Sequence, residues 1–554
     1  MERKSVTRRG FIAGAMATGA LGILTATGCS PQESKGASGS AKKTDDWTVK
    51  LNTNLSEVLP GNTSEKITIE ETKECDVVVI GGGCSGTNTA VRAAEKGLRV
   101  ILLEKSQAIG GASLKSSGPT APNSKYEVAA GVTTDTDKII DTWVADSHWR
   151  VDAAAIRQLV TKAGEAVDWM SDNGWEFTYT KMFTKLPDYE KREPLFREML
   201  KKYVEPTGEV ITEATAKYLI TDDKGTITGV VATKNNKGFQ VNAKAIVIAT
   251  GGYGGNQAMV KTAFNFDGVF AGIPQNIGEG LEMAWKAGAQ KPQNFGGQML
   301  HQTLARATDS IINDFDAFPA KYPMILTYIP QLMNVGSSGA RFRNEALVLS
   351  PVPAANSSVY QGSFHYVVVS KDIMDILEKQ GLAGLGVDKS PGLPPAYKPK
   401  FELTDPWTNI SQVFDKMVEK GGGFKADTSE ELANQAGMDV DVFTKQMKSY
   451  EEFCTNGSDT QFGKPSQYLK ALGSGPYYLI TAEENNLGSW GGLLTNTDFE
   501  VLDEKRVPIK GLYAVGNEAG SNLYNDTYVG SGYAMANTIT SGYLCGAKLA
   551  AKLG

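Results

Sequence analysis

Cys75-Asp76-Val77-Val78-Val79-Ile80-Gly81-Gly82-Gly83-Cys84-Ser85-Gly86 is the stretch that decides the fold. The apolar, β-branched run Val77 to Ile80 suits a strand buried on both faces. The glycines follow at once in the spacing G-x-G-x-x-G and open a helix over 85–97 that stops at Gly97. A helix N-terminus presents free N–H groups and the positive end of the helix dipole, so a pyrophosphate is stabilised there. In that arrangement Gly81 permits the turn, Gly83 admits the phosphates, Gly86 lets helix and strand pack, and Ser85 lies in the first turn. A second strand, Arg99 to Glu104, ends on a carboxylate 18 residues after Gly86. A carboxylate at that place accepts from ribose hydroxyls and disfavours a 2′-phosphate. The fold class read from this unit is α/β, a Rossmann-like dinucleotide-binding domain.

The rest of the chain is consistent with an enzyme of more than one domain. Its 554 residues are 41% hydrophobic and 21% charged, with a formal net charge of -6. That composition excludes a disordered chain and a disulfide scaffold. Lysine and arginine number 56 against 62 acidic residues, so no basic stripe is available to neutralise nucleic-acid phosphates. Five cysteines without a C-x-x-C pair, and the scattered His148, His301 and His365, provide no iron–sulfur, c-type haem or zinc ligand set. Sixty glycines are the one departure from ordinary usage, and glycine collects where backbone must approach a ligand closely.

Residues 1–28 read as an export leader: a basic start with Arg3, Lys4, Arg8 and Arg9, then a weakly apolar Gly/Ala run ending in small residues. Ser5-Val6-Thr7-Arg8-Arg9-Gly10-Phe11-Ile12 resembles the twin-arginine pattern that exports proteins already folded around a cofactor. Ala26-Thr27-Gly28-Cys29 resembles a lipobox with Cys29 as the acylated residue, although leucine is usual where Ala26 stands. Residues 29–65 form a polar tether. The expected location is the outer face of the cytoplasmic membrane or the periplasm, with a lipid anchor.

Three stretches divide the remainder. Residues 66–295 carry alternating strand and helix signals, including Ala245-Ile246-Val247-Ile248-Ala249-Thr250; residues 296–487 shift to longer loops with proline and aromatics; residues 488–554 return to glycine clusters. The expectation is a cofactor domain in two segments, 66–295 and 488–554, with an α+β capping domain of 296–487 inserted between them.

Further motifs carry a resemblance. Ile109-Gly110-Gly111-Ala112-Ser113 and Ser117-Gly118 follow the second strand, Thr250-Gly251-Gly252 ends a later one, and Gly511-Leu512-Tyr513-Ala514-Val515-Gly516-Asn517-Glu518 comes near the end. With Asn276-Ile277-Gly278-Glu279-Gly280, Gly475-Pro476-Tyr477-Tyr478 and Trp490-Gly491-Gly492, residues 70–554 resemble the flavoproteins that include soluble fumarate reductase, flavocytochrome c, urocanate reductase and the 3-ketosteroid dehydrogenases. The resemblance implies non-covalent FAD, held by Gly81, Gly83, Ser85, Gly86, Glu104, Lys105, Gly111, Ala112, Ser113, Ser117, Gly118, Thr250, Gly251, Glu279, Asn517, Glu518, Ser531 and Gly532. Gly530-Ser531-Gly532 opens the last helix, whose N–H groups are expected to face the N1 and C2=O side of a reduced flavin. No haem-binding segment precedes the flavin domain, so electrons are expected from a separate cytochrome c or quinol-linked donor.

The substrate pattern of dicarboxylate reductases is only partly kept. His301 matches a substrate-binding histidine. Gly339-Ala340-Arg341-Phe342-Arg343-Asn344-Glu345 matches the G-x-R-F-x-N-E segment, but no base stands near Leu349 where a proton-delivering arginine belongs. Gly488 replaces a second histidine, and Tyr528 replaces a substrate-clamping arginine. In 3-ketosteroid dehydrogenases a tyrosine at the Tyr528 place bonds a ketone beside a glycine, here Gly532; tyrosine is a neutral donor suited to a carbonyl. A tyrosine that only packs the flavin edge is the alternative. Tyr528, His301, Gly532, Tyr328 and Arg341 are the candidate catalytic residues, with Tyr322 a further donor. The expected reaction is reduction of an activated C=C bond in an α,β-unsaturated carbonyl compound, hydride passing from the flavin to the β-carbon and a tyrosine or arginine supplying the proton. The alternatives are a dehydrogenase that installs a C=C bond beside a ketone, and a binding lipoprotein without activity.

Overall fold

The computed structural model describes residues 67–554 apart from 181–182, 265–267, 292–297, 302–305, 317, 363, 389–401 and 527. The leader, Cys29 and the tether lie outside the described residues. The described residues form one compact unit.

A six-stranded sheet runs in the order Glu500–Leu502, Pro508–Ala514, Ala245–Ile248, Val77–Ile80, Val100–Leu103, Glu209–Ile211. All neighbours are parallel except the first pair. The sheet therefore draws on two distant segments of the chain, as the glycine motifs implied. Alternation sorts its side chains. Val77, Val79, Val100, Leu102 and Val247 join one buried cluster that includes Ala90, Trp175 and Ile539 from the helical side. Val78, Ile80, Ile101, Leu103, Ile246 and Ile248 join another with Val230 and Val241. Those last two belong to a second sheet, Ile69–Glu74, Lys237–Asn242, Ile227–Lys234 and Ala214–Thr221. Continuous apolar runs are thus explained by cover on both faces.

The helix Cys84–Glu95 lies against the final helix Tyr533–Leu553. Close crossing is possible because Gly542 has no Cβ; one there would come within 2.4 Å of the Ser85 carbonyl oxygen. The helix Ala153–Asp172 is capped by the Asp152 carboxylate, which accepts from Ala154 N at 2.9 Å.

Between the two segments, Asn334–Val335, Phe364–Ser370, Tyr477–Glu483 and Gly423–Ala426 form an antiparallel sheet. Helices including Lys371–Gln380, Ile410–Glu419 and Val440–Asn456 contribute to a core with Met374, Phe414, Tyr450 and Leu479. From Asn485 the chain leaves this sheet. Asn485–Ser489 pairs instead with Val269–Phe270 and Gln298–His301.

Candidate functional site

The flavin side is made chiefly of backbone. Gly81 takes φ +109°, and a Cβ on Gly86 would sit 1.9 Å from the Gly81 carbonyl oxygen. A Cβ on Gly83 would meet nothing within 4 Å. Gly83 caps the helix Cys84–Glu95, which has no side-chain cap and no acidic residue in its first turn. The N–H groups of that turn therefore have no side-chain cap competing for them. The Gly110 amide donates to the Gly82 carbonyl at 2.8 Å, which brings the Gly110–Ser113 segment alongside. Glu104 accepts from the Gly82 and Ser106 amides, both at 2.7 Å. Those bonds orient its carboxylate and leave further lone pairs for ribose hydroxyls.

A second group converges from far apart in sequence. Glu518, fully buried, accepts from Thr250 Oγ1 and from the Gly252 amide at 2.9 Å. Its Oε2 has no partner among the described residues. Burial pushes its carboxyl above the ordinary range, opposed by the Thr250 and Gly252 bonds. Asn517 Nδ2 donates to the Gly251 carbonyl at 3.3 Å, and Lys105 pairs with Glu279. The open helix cap, the Glu104 lone pairs and the orphaned Glu518 oxygen are polar features that suit the pyrophosphate and hydroxyls of FAD.

Gly111, Ala112 and Ser113 lie in a short 3-10 turn, and Ser113 Oγ donates to the Gly110 carbonyl. The Ser117 carbonyl accepts from the Leu186 amide at 3.0 Å, while Gly118 lies so close to Thr184 that a Cβ would come within 2.1 Å of its oxygen. Arg192 escaped the sequence reading. Only 1% exposed, it donates to the carbonyls of Ser113, Leu114 and Ser116 at 3.0, 3.0 and 2.7 Å. It lies nearly eighty residues beyond the loop it braces, and no local pattern marks it.

Ser531 and Gly532 are tied to the same loop. Thr120 donates through Oγ1 to the Ser531 carbonyl at 2.8 Å and through its amide to the Gly532 carbonyl at 3.1 Å. Gly532, at φ +84°, caps the final helix. The Tyr528 hydroxyl accepts from the Ala534 amide at 3.1 Å, so it takes up one of the helix amides expected to face the flavin. Burial raises the Tyr528 phenol pKa, opposed by that amide bond, and the group is un-ionised at neutral pH.

Two candidates require correction. Arg341 is not free to meet a substrate: its side chain is fully buried and donates to both Glu345 oxygens at 2.8 and 2.7 Å and to Asp459 Oδ2 at 2.9 Å. Its charge is already neutralised, so it is a structural group. Tyr328, 2% exposed, belongs to the core of the inserted sheet and helices, and Tyr322 stacks on Trp407 there at 4.3 Å. Both rings are packed within that core. His301 stands opposite Asn485 in the strand pairing; its side chain lies outside the described residues.

The inserted region conceals an ionic cluster that composition did not announce. Lys464 donates to the Tyr450 hydroxyl at 2.7 Å and lies 3.5 Å from Glu345. Burial lowers its pKa to about 8, against the opposing pull of Glu345. Arg343 bonds Asn334 and the Ala354 carbonyl at 2.6 and 2.7 Å, and burial brings its pKa down to about 10. His365 Nε2 is 3.3 Å from Arg343, and its Nδ1 is 3.4 Å from Glu484. Burial and then Arg343 keep His365 neutral, and burial pushes the Glu484 carboxyl far up.

Tyr528 packs in a buried cluster with Trp143, Trp490, Leu523 and Tyr524. Trp490 stacks on Tyr528 with centroids 5.0 Å apart and planes 16° apart, and Tyr524 lies 5.7 Å from Trp490. Gly488 lies against the same indole: a Cβ there would be 3.5 Å from Trp490 Cη2, an ordinary contact.

The chain matches the family described as FAD binding domain over residues 76–310 and 331–534. It is 29% identical over 475 residues to the vinyl phenol reductase of Lactiplantibacillus plantarum, spanning 83% of this chain and 93% of the relative. It is 25% identical over 489 residues to a fumarate reductase (cytochrome) of Shewanella frigidimarina, spanning 86% and 77%. Among solved structures it resembles the 3-ketosteroid-delta4-(5alpha)-dehydrogenase of Rhodococcus jostii, with TM-score 0.62 and 19% identity, covering 89% of this chain and 99% of that one. That last likeness is one of fold.

Proposed function

Because the chain belongs to the FAD binding domain family and is an FAD-dependent oxidoreductase, we propose that it reduces a carbon–carbon double bond conjugated to a carbonyl or an aryl group, in a substrate other than a small dicarboxylate. The observation that carries this reading is the surroundings of Tyr528, which stacks on Trp490 beside Gly488 in a cluster of neutral aromatic side chains. A dicarboxylate set against these rings alone would lose its hydration uncompensated. The reductase of vinyl phenol among the relatives supports reduction at a C=C bond without a carboxylate clamp.

FAD, when bound by Glu104, Glu518 and the Gly83 cap, supplies the hydride equivalent. Tyr528 accepts from Ala534 N–H, so its own proton remains available to donate. A hydroxyl so placed polarises a substrate carbonyl or stabilises the charge that develops on it. The amide bond to its oxygen strengthens it as a donor. Arg192 positions the Ser113–Ser116 carbonyls and holds the flavin loop in place.

A ketosteroid-type dehydrogenase is the second reading, favoured by the neighbouring Tyr528 and Gly532. Dithionite-reduced protein mixed anaerobically with a panel of enones, vinyl phenols, unsaturated acids and steroids separates the two. Reoxidation by an unsaturated compound is expected; if saturated ketones reduce the oxidised flavin and no unsaturated compound reoxidises it, the reductase reading fails. In the same reading residues 1–28 direct twin-arginine export, Cys29 carries a lipid anchor after cleavage, and a membrane cytochrome or quinol-linked donor feeds a terminal reductase. Cys29→Ala is expected to move the protein from the membrane to the soluble fraction. The cap of residues 296–487 covers a cofactor domain of 66–295 and 488–554.

A further inference from the structure

Arg343 differs from Arg341 in what it holds. Arg341 is neutralised by Glu345 and Asp459, whereas no carboxylate stands among the hydrogen-bond partners of Arg343 within the described residues. The buried Arg343 guanidinium spends its N–H groups on fixing other elements. Nη1 donates to the Ala354 carbonyl at 2.7 Å and to the Ser357 and Ser358 hydroxyls at 3.1 and 2.9 Å. Nε and Nη2 donate to Asn334 Oδ1 at 3.1 and 2.6 Å, and Nη2 lies 3.3 Å from His365 Nε2. Asn334 and His365 belong to two strands of the inserted sheet. Ala354, Ser357 and Ser358 belong to one helix, Pro351–Val359.

That helix lies in the inserted stretch by sequence, yet its apolar side chains are buried elsewhere. Ala355 and Val359 join the cluster built on Ile246 and Ile248 of the six-stranded sheet, and Val352 packs against the cluster that holds Tyr528 and Trp490. Those three residues share one face at helical spacing, and Ser357 and Ser358 stand on the other. The helix also lies against the strand Gln298–His301, which pairs with Asn485–Ser489. Glu484, one residue before that pairing strand, is 3.4 Å from His365 Nδ1. The series Arg343, His365, Glu484 therefore reaches both elements that border the strand of His301.

The geometry assigns to Arg343 the role of a positioning residue: it grips the helix Pro351–Val359 from its polar side, holds Val352 against the Tyr528 cluster and so sets how a substrate fits there. This rests on the reductase reading and adds a specificity-determining element to it. A planar fork that meets a carbonyl and two hydroxyls across one helical turn fixes direction as well as distance, which the single ammonium of lysine does not. Without it the helix is held by its apolar face, and apolar contact is non-directional. Val352 is the side chain through which a displaced helix changes the substrate side.

Two measurements on the FAD-loaded full chain separate positioning from mere support. Amide hydrogen exchange needs no turnover: in Arg343→Lys, exchange over 351–359 should rise about tenfold relative to the strand Phe364–Ser370. Arg341→Met, which weakens the inserted half without touching that helix, should leave the ratio unchanged. An equal rise in both stretches of Arg343→Lys, or the same ratio in both variants, overturns the assignment. The second measurement is anaerobic reoxidation of dithionite-reduced protein by 4-vinylphenol and by 2-cyclohexenone. Arg343→Lys and Val352→Ala should each raise the half-saturating concentration about fivefold and keep the limiting rate within about twofold. A fall in limiting rate at unchanged half-saturation in Arg343→Lys marks a purely structural role and also overturns it. Should Arg343→Lys fail to fold, Ser358→Ala, which removes one of the three helix acceptors, should move both readouts in the same direction by about threefold, and no movement overturns the assignment. If no unsaturated compound of the panel reoxidises the wild type, the reductase reading falls while the exchange ratio still decides whether Arg343 anchors the helix.

Discussion

The flavin half and the inserted half of this molecule hold their polar groups by opposite means. Around Gly81 to Gly86 the work is done by main chain: an uncapped helix start, a carbonyl packed where Gly86 has no Cβ, and amides that orient Glu104. In the inserted half it is done by side chains, with Arg341, Glu345, Asp459, Lys464, Arg343, His365 and Glu484 all buried. Backbone sites depend on absent side chains and tolerate no additions. Side-chain sites depend on partners and tolerate no deletions.

The largest expected break comes from adding a side chain to the first region. Gly83→Val should abolish FAD retention while the protein still folds, because the new Cβ meets no protein atom within 4 Å; the flavin-to-protein absorbance ratio checks it. Gly86→Val is the sharpening control. Its Cβ would overlap the Gly81 carbonyl, so it should destabilise the fold itself, by about 3 kcal/mol in a denaturant melt.

Deletion should injure the second region most. Arg341→Met leaves Glu345 and Asp459 buried without their cation, a loss of about 3–5 kcal/mol of stability, read by chemical denaturation. A variant of unchanged stability and lost turnover would instead return Arg341 to the catalytic machinery.

Lys464 provides a pH test of the same contrast. Its folded pKa of about 8 lies below the ordinary lysine value of 10.5, so the unfolded chain binds more protons between those values. Stability should therefore rise as pH goes from about 8 to 10.5, by about 3 kcal/mol at most. Subtracting the profile of Lys464→Met isolates this contribution, and parallel profiles would show that the lysine is not strained by burial.

The smallest expected effect, in free energy, is at Tyr528. Tyr528→Phe should keep FAD and lower kcat by about a hundredfold, the scale for loss of one donor to a developing oxyanion. Unchanged kinetics would leave Tyr528 as packing for Trp490.

Legibility followed the same division. Val77 to Ile80, the glycine spacing and Glu104 could be read because strand alternation and helix starts are set within a few residues. Thr250 and Glu518 were recognised separately, but their bond could not be seen across the intervening chain. Arg341 was misread for a related reason. Its motif orders the residues from Gly339 to Glu345 and contains nothing about Asp459, which comes 118 positions later. Trp490 stood in plain view between Ser489 and Gly491 as a motif residue, and only the packed structure lays its ring over Gly488 and against Tyr528. Arg192 had no local signal at all.

The sequence by itself determined the α/β class and the glycine-rich start of the FAD-binding domain, since each depends on short-range geometry. The tertiary structure alone decided which charges neutralise one another, which donors are left open and which rings meet. Those are properties of groups brought together by burial from distant parts of the chain, where loss of water makes every pairing matter.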